Sequence, residues 1–112
     1  MPIANCIITS KYQKNSDNSS RLIELWASES KKPSEHMTIN IITSNEQLGK
    51  QYHIMASLLL PSIWSGSDIS SLQIGLAKAL ALHFNASLSE VFVATTIVNS
   101  GMVVEAGEQV EW

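Results

Sequence analysis

Residues 2–9, Pro2-Ile3-Ala4-Asn5-Cys6-Ile7-Ile8-Thr9, decide the reading of this chain. Ile3 to Thr9 (IANCIIT) is a short, β-rich apolar run, and the polar stretch Ser10 to Ser16 (SKYQKNS) after it has the composition of a connecting loop. Ser16 or Asp17 then caps a helix whose stripe is Leu22, Ile23, Leu25, Trp26 and Glu29, flanked by polar Ser19, Ser20, Glu24 and Ser28. Proline disfavours helical geometry at the residue before it, so the helix stops ahead of Pro33. Lys32 falls in the exit turn, where a cation suits the negative end of the helix dipole. From Met37 to Thr43 (MTINIIT) a β-branched strand returns, which makes the first half strand, helix, strand.

The second half repeats this order. His53 to Leu60 (HIMASLLL) reads as a strand ended by Pro61. Ser67-Asp68 offers an N-cap ahead of Ile69, Leu72, Leu76, Ala79, Leu80 and His83 at helical spacing, and Asn85 suits the left-handed closing position. Glu90 to Val98 (EVFVATTIV) is a long, buried-looking strand. The recurrence, from Ile3 to Ile54 and from Met37 to Val91, spans about half the chain and points to a duplicated βαβ unit, with the two copies at about 2–44 and 53–98.

Right-handed crossovers put both helices on one face of a four-stranded mixed sheet, an α/β (α+β) architecture in a single domain, 1–112. The other face is left bare. IANCIIT and EVFVATTIV are apolar on both alternating sets, so that face is expected to meet another copy of the chain. The tail Gly101 to Trp112 has two β-type stretches, Met102 to Glu105 and Gln109 to Trp112, around an Ala106-Gly107 turn. It reads as a C-terminal hairpin reaching a neighbouring subunit; a loose terminus would leave Val103, Val104, Val110 and Trp112 exposed.

Composition sets the outer bounds. The chain has 112 residues, 45% hydrophobic and 15% charged, with a net charge of −3 and no basic cluster longer than Lys31-Lys32. Nucleic acid and anionic membrane surfaces are therefore not expected as partners. No stretch approaches the roughly 18 apolar residues of a membrane span, and no basic region with an apolar run and cleavage site opens the chain. The single cysteine, Cys6, suits a core position in a reducing compartment, and a cytoplasmic location is expected.

The chemistry points back to Pro2. Met-Pro starts are normally trimmed, which would leave a secondary amine at the head of an apolar strand. An α-amino group has a reference pKa near ~8, and burial or neighbouring cations lower it into the range useful for a base at neutral pH. Other chemistries find no support. His36, His53 and His83 are scattered one per element without metal-ligand spacing. The glycines form no G-x-G-x-x-G or phosphate loop, and the serines form no G-x-S-x-G elbow. No metal or other cofactor is expected.

An N-terminal proline opening the first strand, a duplicated βαβ unit and the segment Lys32-Pro33-Ser34-Glu35-His36-Met37-Thr38-Ile39-Asn40-Ile41 together resemble the tautomerase superfamily. The length is similar to its macrophage migration inhibitory factor and cis-3-chloroacrylic acid dehalogenase branches. The resemblance covers essentially the whole chain, as a pattern of elements with few identities. It implies a homotrimer in which the prolyl amine is general base or acid on a small keto/enol or unsaturated carboxylic acid, without a cofactor.

Residue by residue, the resemblance implies Pro2 as the catalytic group and Lys32 as a pocket cation that holds a substrate carboxylate and lowers the proline pKa. Lys32 reads equally as an ordinary helix C-terminal cation. His36 falls where the inhibitory-factor branch has an aromatic pocket residue, and Ser57 and Leu58 fall in the stretch whose backbone amide contacts substrate. Phe92 and Ala94 stand where that branch has a tyrosine and an asparagine. The arginine pair of the dehalogenase branch has no counterpart in Leu58-Leu59-Leu60-Pro61-Ser62, whereas Gly101 to Gly107 resembles its segment with a water-activating glutamate, which would be Glu105. As a carboxylate on a hairpin, Glu105 also reads as a solvated side chain. Two other classes stay open: a non-catalytic oligomeric binding or signalling module of the same fold, and an unrelated ferredoxin-like ligand-binding domain. RNA binding by the latter is disfavoured because the strands lack aromatic pairs that stack bases.

Overall fold

A computed structural model of the chain describes residues 1–12 and 19–112. Strand β1 (Ile3–Thr9) leads through a 3-10 turn (Ser10–Tyr12) to α1 (Ser19–Ser30), and β2 (Thr38–Ser44) follows. The proposed cap at Ser16 or Asp17 lies outside the described residues, as does most of the expected loop. The second unit is β3 (Ile54–Pro61), α2 (Gly66–Phe84) and β4 (Val91–Val98), and the chain closes with β5 (Val103–Glu105) and β6 (Glu108–Val110).

The sheet order is β2-β1-β3-β4. β1 pairs with β2 and β3 with β4 in parallel, while β1 and β3 meet antiparallel, with Ile3 opposite Leu59 and Ile8 opposite Ile54. The two βαβ units therefore sit side by side in opposite senses, as the duplication requires. Alternation gives one face to Ala4, Cys6 and Ile8 of β1 and to Ile54, Ala56, Leu58 and Leu60 of β3, all buried with Leu22, Trp26, Leu72, Leu76 and Leu80 of the helices. The two helices cross closely at Gly75, where a Cβ would come within 2.8 Å of the Ser30 backbone nitrogen. Trp26, fully buried, donates its indole N–H to the Leu72 carbonyl at 3.0 Å, which satisfies its one polar atom inside the core.

Several expectations are corrected here. The N-cap of α2 is Ser65 and not Ser67-Asp68: the Ser65 hydroxyl accepts the Asp68 N–H at 3.2 Å, which leaves Asp68 in the helix's first turn. Asn85 does close the helix in left-handed geometry (φ 52°). The exit of α1 uses left-handed Lys31 (φ 57°), and the Lys32 N–H bonds back to the Ala27 carbonyl at 3.1 Å. β4 is an edge strand with Phe92, Ala94, Thr96 and Ile97 exposed in the single chain. Its continuous apolar run imitates a strand covered on both faces, but one of its faces is the bare side of the sheet. Glu90 precedes it in a short 3-10 turn (Leu88–Glu90), where it closes a capping box with Ser87.

The bare face carries Ile7 of β1, Ile42 of β2 and Phe92 of β4, each more than a third exposed, around a polar centre of Asn5, Asn40 and Ser57. Asn40 donates to the Asn5 side chain at 2.8 Å. β5 and β6 pair only with each other, across a two-residue turn in which Ala106 (φ 53°) and Gly107 (φ 79°) both take the positive φ of a type I′ hairpin. Among the described residues no helix is long and apolar enough to cross a membrane.

Candidate functional site

Parallel pairing within each unit and antiparallel pairing between them send the start of β1, the start of β2, the end of β3 and the end of β4 to one end of the sheet. Pro2 is there. Its ring is buried, its carbonyl accepts the Thr38 N–H at 3.0 Å, and the register that sets Ile3 against Leu59 places it beside the last residues of β3. The terminal amine, carried here by Met1 immediately before Pro2, is partly desolvated, which lowers its pKa; the carboxylate of Glu105 is near enough to raise it in opposition. The hairpin thus brings Glu105 towards the amino terminus within one chain.

The hairpin is anchored at this same end. The Trp112 indole N–H donates to the Ser62 hydroxyl at 3.0 Å, its backbone N–H donates to the Ser100 hydroxyl at 2.8 Å, and the Ser62 N–H donates to the Val98 carbonyl at 2.9 Å. The expectation of a hairpin reaching a neighbour is modified accordingly, because its base is held to the turn after β3 of its own chain. Met102 and Val104 stay exposed.

Lys32 also lies at this end, between α1 and β2, but it is not an uncommitted cation. Its ammonium pairs with the Asp68 carboxylate and sits 5.3 Å from the centre of the Trp64 ring. The second Asp68 oxygen accepts from the Ser65 hydroxyl at 2.8 Å. Lys32 chiefly, and Ser65 with it, hold the Asp68 carboxyl below its ordinary range. The indole N–H of Trp64 is buried without a hydrogen-bond partner. The sequence alone does not mark Trp64 or Asp68 as members of this group. Asp68 was readable as a cap; only the topology brings it to Lys32, 36 positions away.

The remaining expected residues stand apart from the Lys32–Asp68 pair. His36 precedes β2 at the Pro2 end, where it is exposed beside Glu35, 3.4 Å away. Ser57 and Leu58 lie mid-strand in β3, each paired with β1 on one side and β4 on the other, so their backbone groups serve the sheet and are not open to a ligand. The Leu58 side chain is buried under the helices. Phe92 packs against Tyr52, ring centres 4.9 Å apart, near the start of β4 and hence at the opposite end of the sheet from Pro2. Within one chain the structure brings Pro2, Lys32, Glu105 and the exposed His36 to one end, and leaves Ser57 and Leu58 mid-strand and Phe92 at the other end.

The opposite end carries a second polar cluster. Glu90 accepts from the Tyr12 hydroxyl at 2.5 Å and from Lys11 at 3.3 Å, with His53 at 3.9 Å. Tyr12 first, then the Ser87 N–H and Lys11, pull the Glu90 carboxyl down to about 2. A cavity of about 240 Å³ adjoins it, lined by Thr9, Lys11, Ser44, Gln47 and His53 among others. A larger cavity of about 430 Å³ is an open groove on the outer side of the helices, lined by Glu29, Lys78, Leu82 and Leu88. Neither includes Pro2. Cys6 is buried under the helices, which pushes its thiol up to about 12 and makes it unreactive. Among the described residues no three His, Cys, Asp or Glu side chains converge as a metal site would require.

No protein-family model and no curated protein matches the chain in sequence. Solved structures do match its fold. A fused 4-OT asymmetric trimer superposes with a TM-score of 0.79 at 14% identity, covering 96% of this chain and 94% of that one. N1, a member of the cis-3-chloroacrylic acid dehalogenase family, gives 0.74 at 9% identity over 96% of this chain and 82% of that one. Macrophage migration inhibitory factor of Toxoplasma gondii gives 0.63 at 14% identity over 94% and 98%. The duplicated βαβ chain, with Pro2 at the head of its first strand, therefore has the fold of the tautomerase superfamily shared by these proteins.

Proposed function

We propose that the chain is a cofactor-independent tautomerase or isomerase in which Pro2, after removal of Met1, is the general base and acid. The observation that carries this reading is the position of the amino terminus. Pro2 heads β1, buried, at the sheet end where Lys32, Asp68, Trp64 and Glu105 gather, and burial there would lower the pKa of a prolyl amine. A secondary amine there takes a proton from carbon or from an enol oxygen of a small carbonyl compound and returns it at another atom. Lys32 and the indole of Trp64 provide positive and polarisable surroundings for the enolate formed in between. Glu105, close enough to raise the pKa of the Met1 amine, would act in the same direction on a prolyl amine.

The assembly proposed is a homotrimer built on the bare sheet face. Ile7, Ile42 and Phe92 are exposed there, and self-association buries them. Fused 4-OT, of the same fold, forms trimers. A second copy would also be the means of bringing Phe92 towards a proline end that it cannot reach within its own chain. The buried, unpaired Cys6 suits a reducing cytoplasm.

The test is kinetic. Protein whose mass lacks Met1 is assayed for keto–enol isomerisation of phenylenolpyruvate and of its neutral methyl ester against Pro2→Ala. A loss of about 10²-fold or more in kcat is expected, the scale of general base catalysis. Equal rates would leave a non-catalytic binding module of the same fold.

A further inference from the structure

The proposed carboxylate-binding lysine already holds a carboxylate. Lys32 is paired with Asp68, and both side chains are withdrawn from water, with 21% and 33% of their surface exposed. Three features hold that carboxylate in place. The ammonium engages one oxygen, the Ser65 hydroxyl donates to the other at 2.8 Å, and the first turn of α2, a helix of 19 residues, favours negative charge. On the other side the Trp64 ring covers the ammonium. A ligand carboxylate arriving at Lys32 must displace Asp68 from all of these partners or stand beside it as a second anion, and like charges in a partly desolvated site repel strongly.

We infer that Asp68 is a built-in counter-ion occupying the carboxylate position on Lys32, so that the proline-end site takes neutral keto–enol compounds in preference to carboxylic acids. The inference rests on the reading of the proline end as a substrate site and narrows its substrate class. Asp68 acts as a specificity-determining residue through Lys32. A role limited to tying the exit of α1 to the start of α2 predicts a change in stability alone.

Two probes of matching shape separate these outcomes: phenylacetate, an anion, and phenylacetone, its neutral ketone counterpart. Binding to the full chain is followed by NMR titration for the wild type, Asp68→Asn, and Asp68→Asn combined with Lys32→Met. The Ser65 cap on the Asp68 backbone N–H survives Asp68→Asn; should that variant misfold, Asp68→Ser replaces it. The wild type is expected to favour phenylacetone, and Asp68→Asn to tighten phenylacetate by about tenfold while phenylacetone stays within about twofold. Adding Lys32→Met should abolish the gain. Unchanged phenylacetate binding in Asp68→Asn, with phenylacetone still bound, overturns the counter-ion role and leaves the substrate-site reading standing. Binding of neither probe to any variant overturns both.

Discussion

The two ends of the sheet hold polar clusters of similar size and opposite character. At the Glu90 end one carboxylate collects the Tyr12 hydroxyl, the Lys11 ammonium and the Ser87 N–H, with His53 close by, and in doing so ties the end of β1 to the start of β4. At the Pro2 end the groups are fewer and less fully matched: the partly desolvated amine of Met1, a buried Trp64 N–H with no partner, and the Lys32–Asp68 ion pair. A saturated cluster holds structure, whereas an incompletely satisfied one leaves donors and an amine with chemistry still to do. The proposed site accordingly lies at the Pro2 end, although the cavity of about 240 Å³ lies at the other.

Substitutions can break or sharpen this contrast. The largest stability change should fall at neither end, on the helix crossing that serves both. Gly75→Ala puts a methyl against the Ser30 backbone and should cost about 1–3 kcal/mol in denaturant unfolding, with site-specific binding per folded molecule unchanged. Next comes Glu90. Its carboxyl is lowered in the folded chain, so its contribution is present above the unfolded carboxyl pKa of about 4.3 and is lost as pH falls towards the folded value of about 2. Glu90→Gln should lower the urea midpoint at pH 7 and flatten its decline between pH 5 and 2, and should spare activity.

Smaller effects belong to the Pro2 end. Lys31→Gly relieves a left-handed side-chain residue at the exit of α1 and should stabilise by about 1 kcal/mol in thermal unfolding. Trp64→Phe deletes the orphan indole N–H, and its effect on stability should be within about 1 kcal/mol of zero because lost packing offsets the removed unsatisfied donor. A comparable insensitivity at Tyr12→Phe would contradict the contrast, since that hydroxyl is the main partner of Glu90.

Local periodicity carried most of the fold. IANCIIT, the Leu22/Trp26 stripe, Pro33, Asn85 and the Ala106-Gly107 turn each signal an element through its own sequence neighbourhood, and each stands in the structure. What failed depended on partners distant in sequence. Ser65, Ser67 and Asp68 are all competent caps, and only the observed helix start distinguishes them. β4 reads as buried because an edge strand over a bare face and a covered strand have the same composition. Ser57 and Leu58 sit in the middle of a central strand, a fact set by register and invisible along the chain. The Lys32–Asp68 pair and the Tyr12–Glu90 bond span 36 and 78 positions, so no local pattern announces them.

The central claim is that the amino terminus is a free prolyl amine with a depressed pKa. Protein from the native host, labelled with 15N-proline, tests it by NMR titration. A Pro2 amine resonance is expected to titrate with a midpoint below the ordinary α-amino value of about 8, because Pro2 is buried and burial disfavours the protonated form. A Pro2 nitrogen that does not titrate, as in an intact Met1–Pro2 peptide bond, would contradict the account.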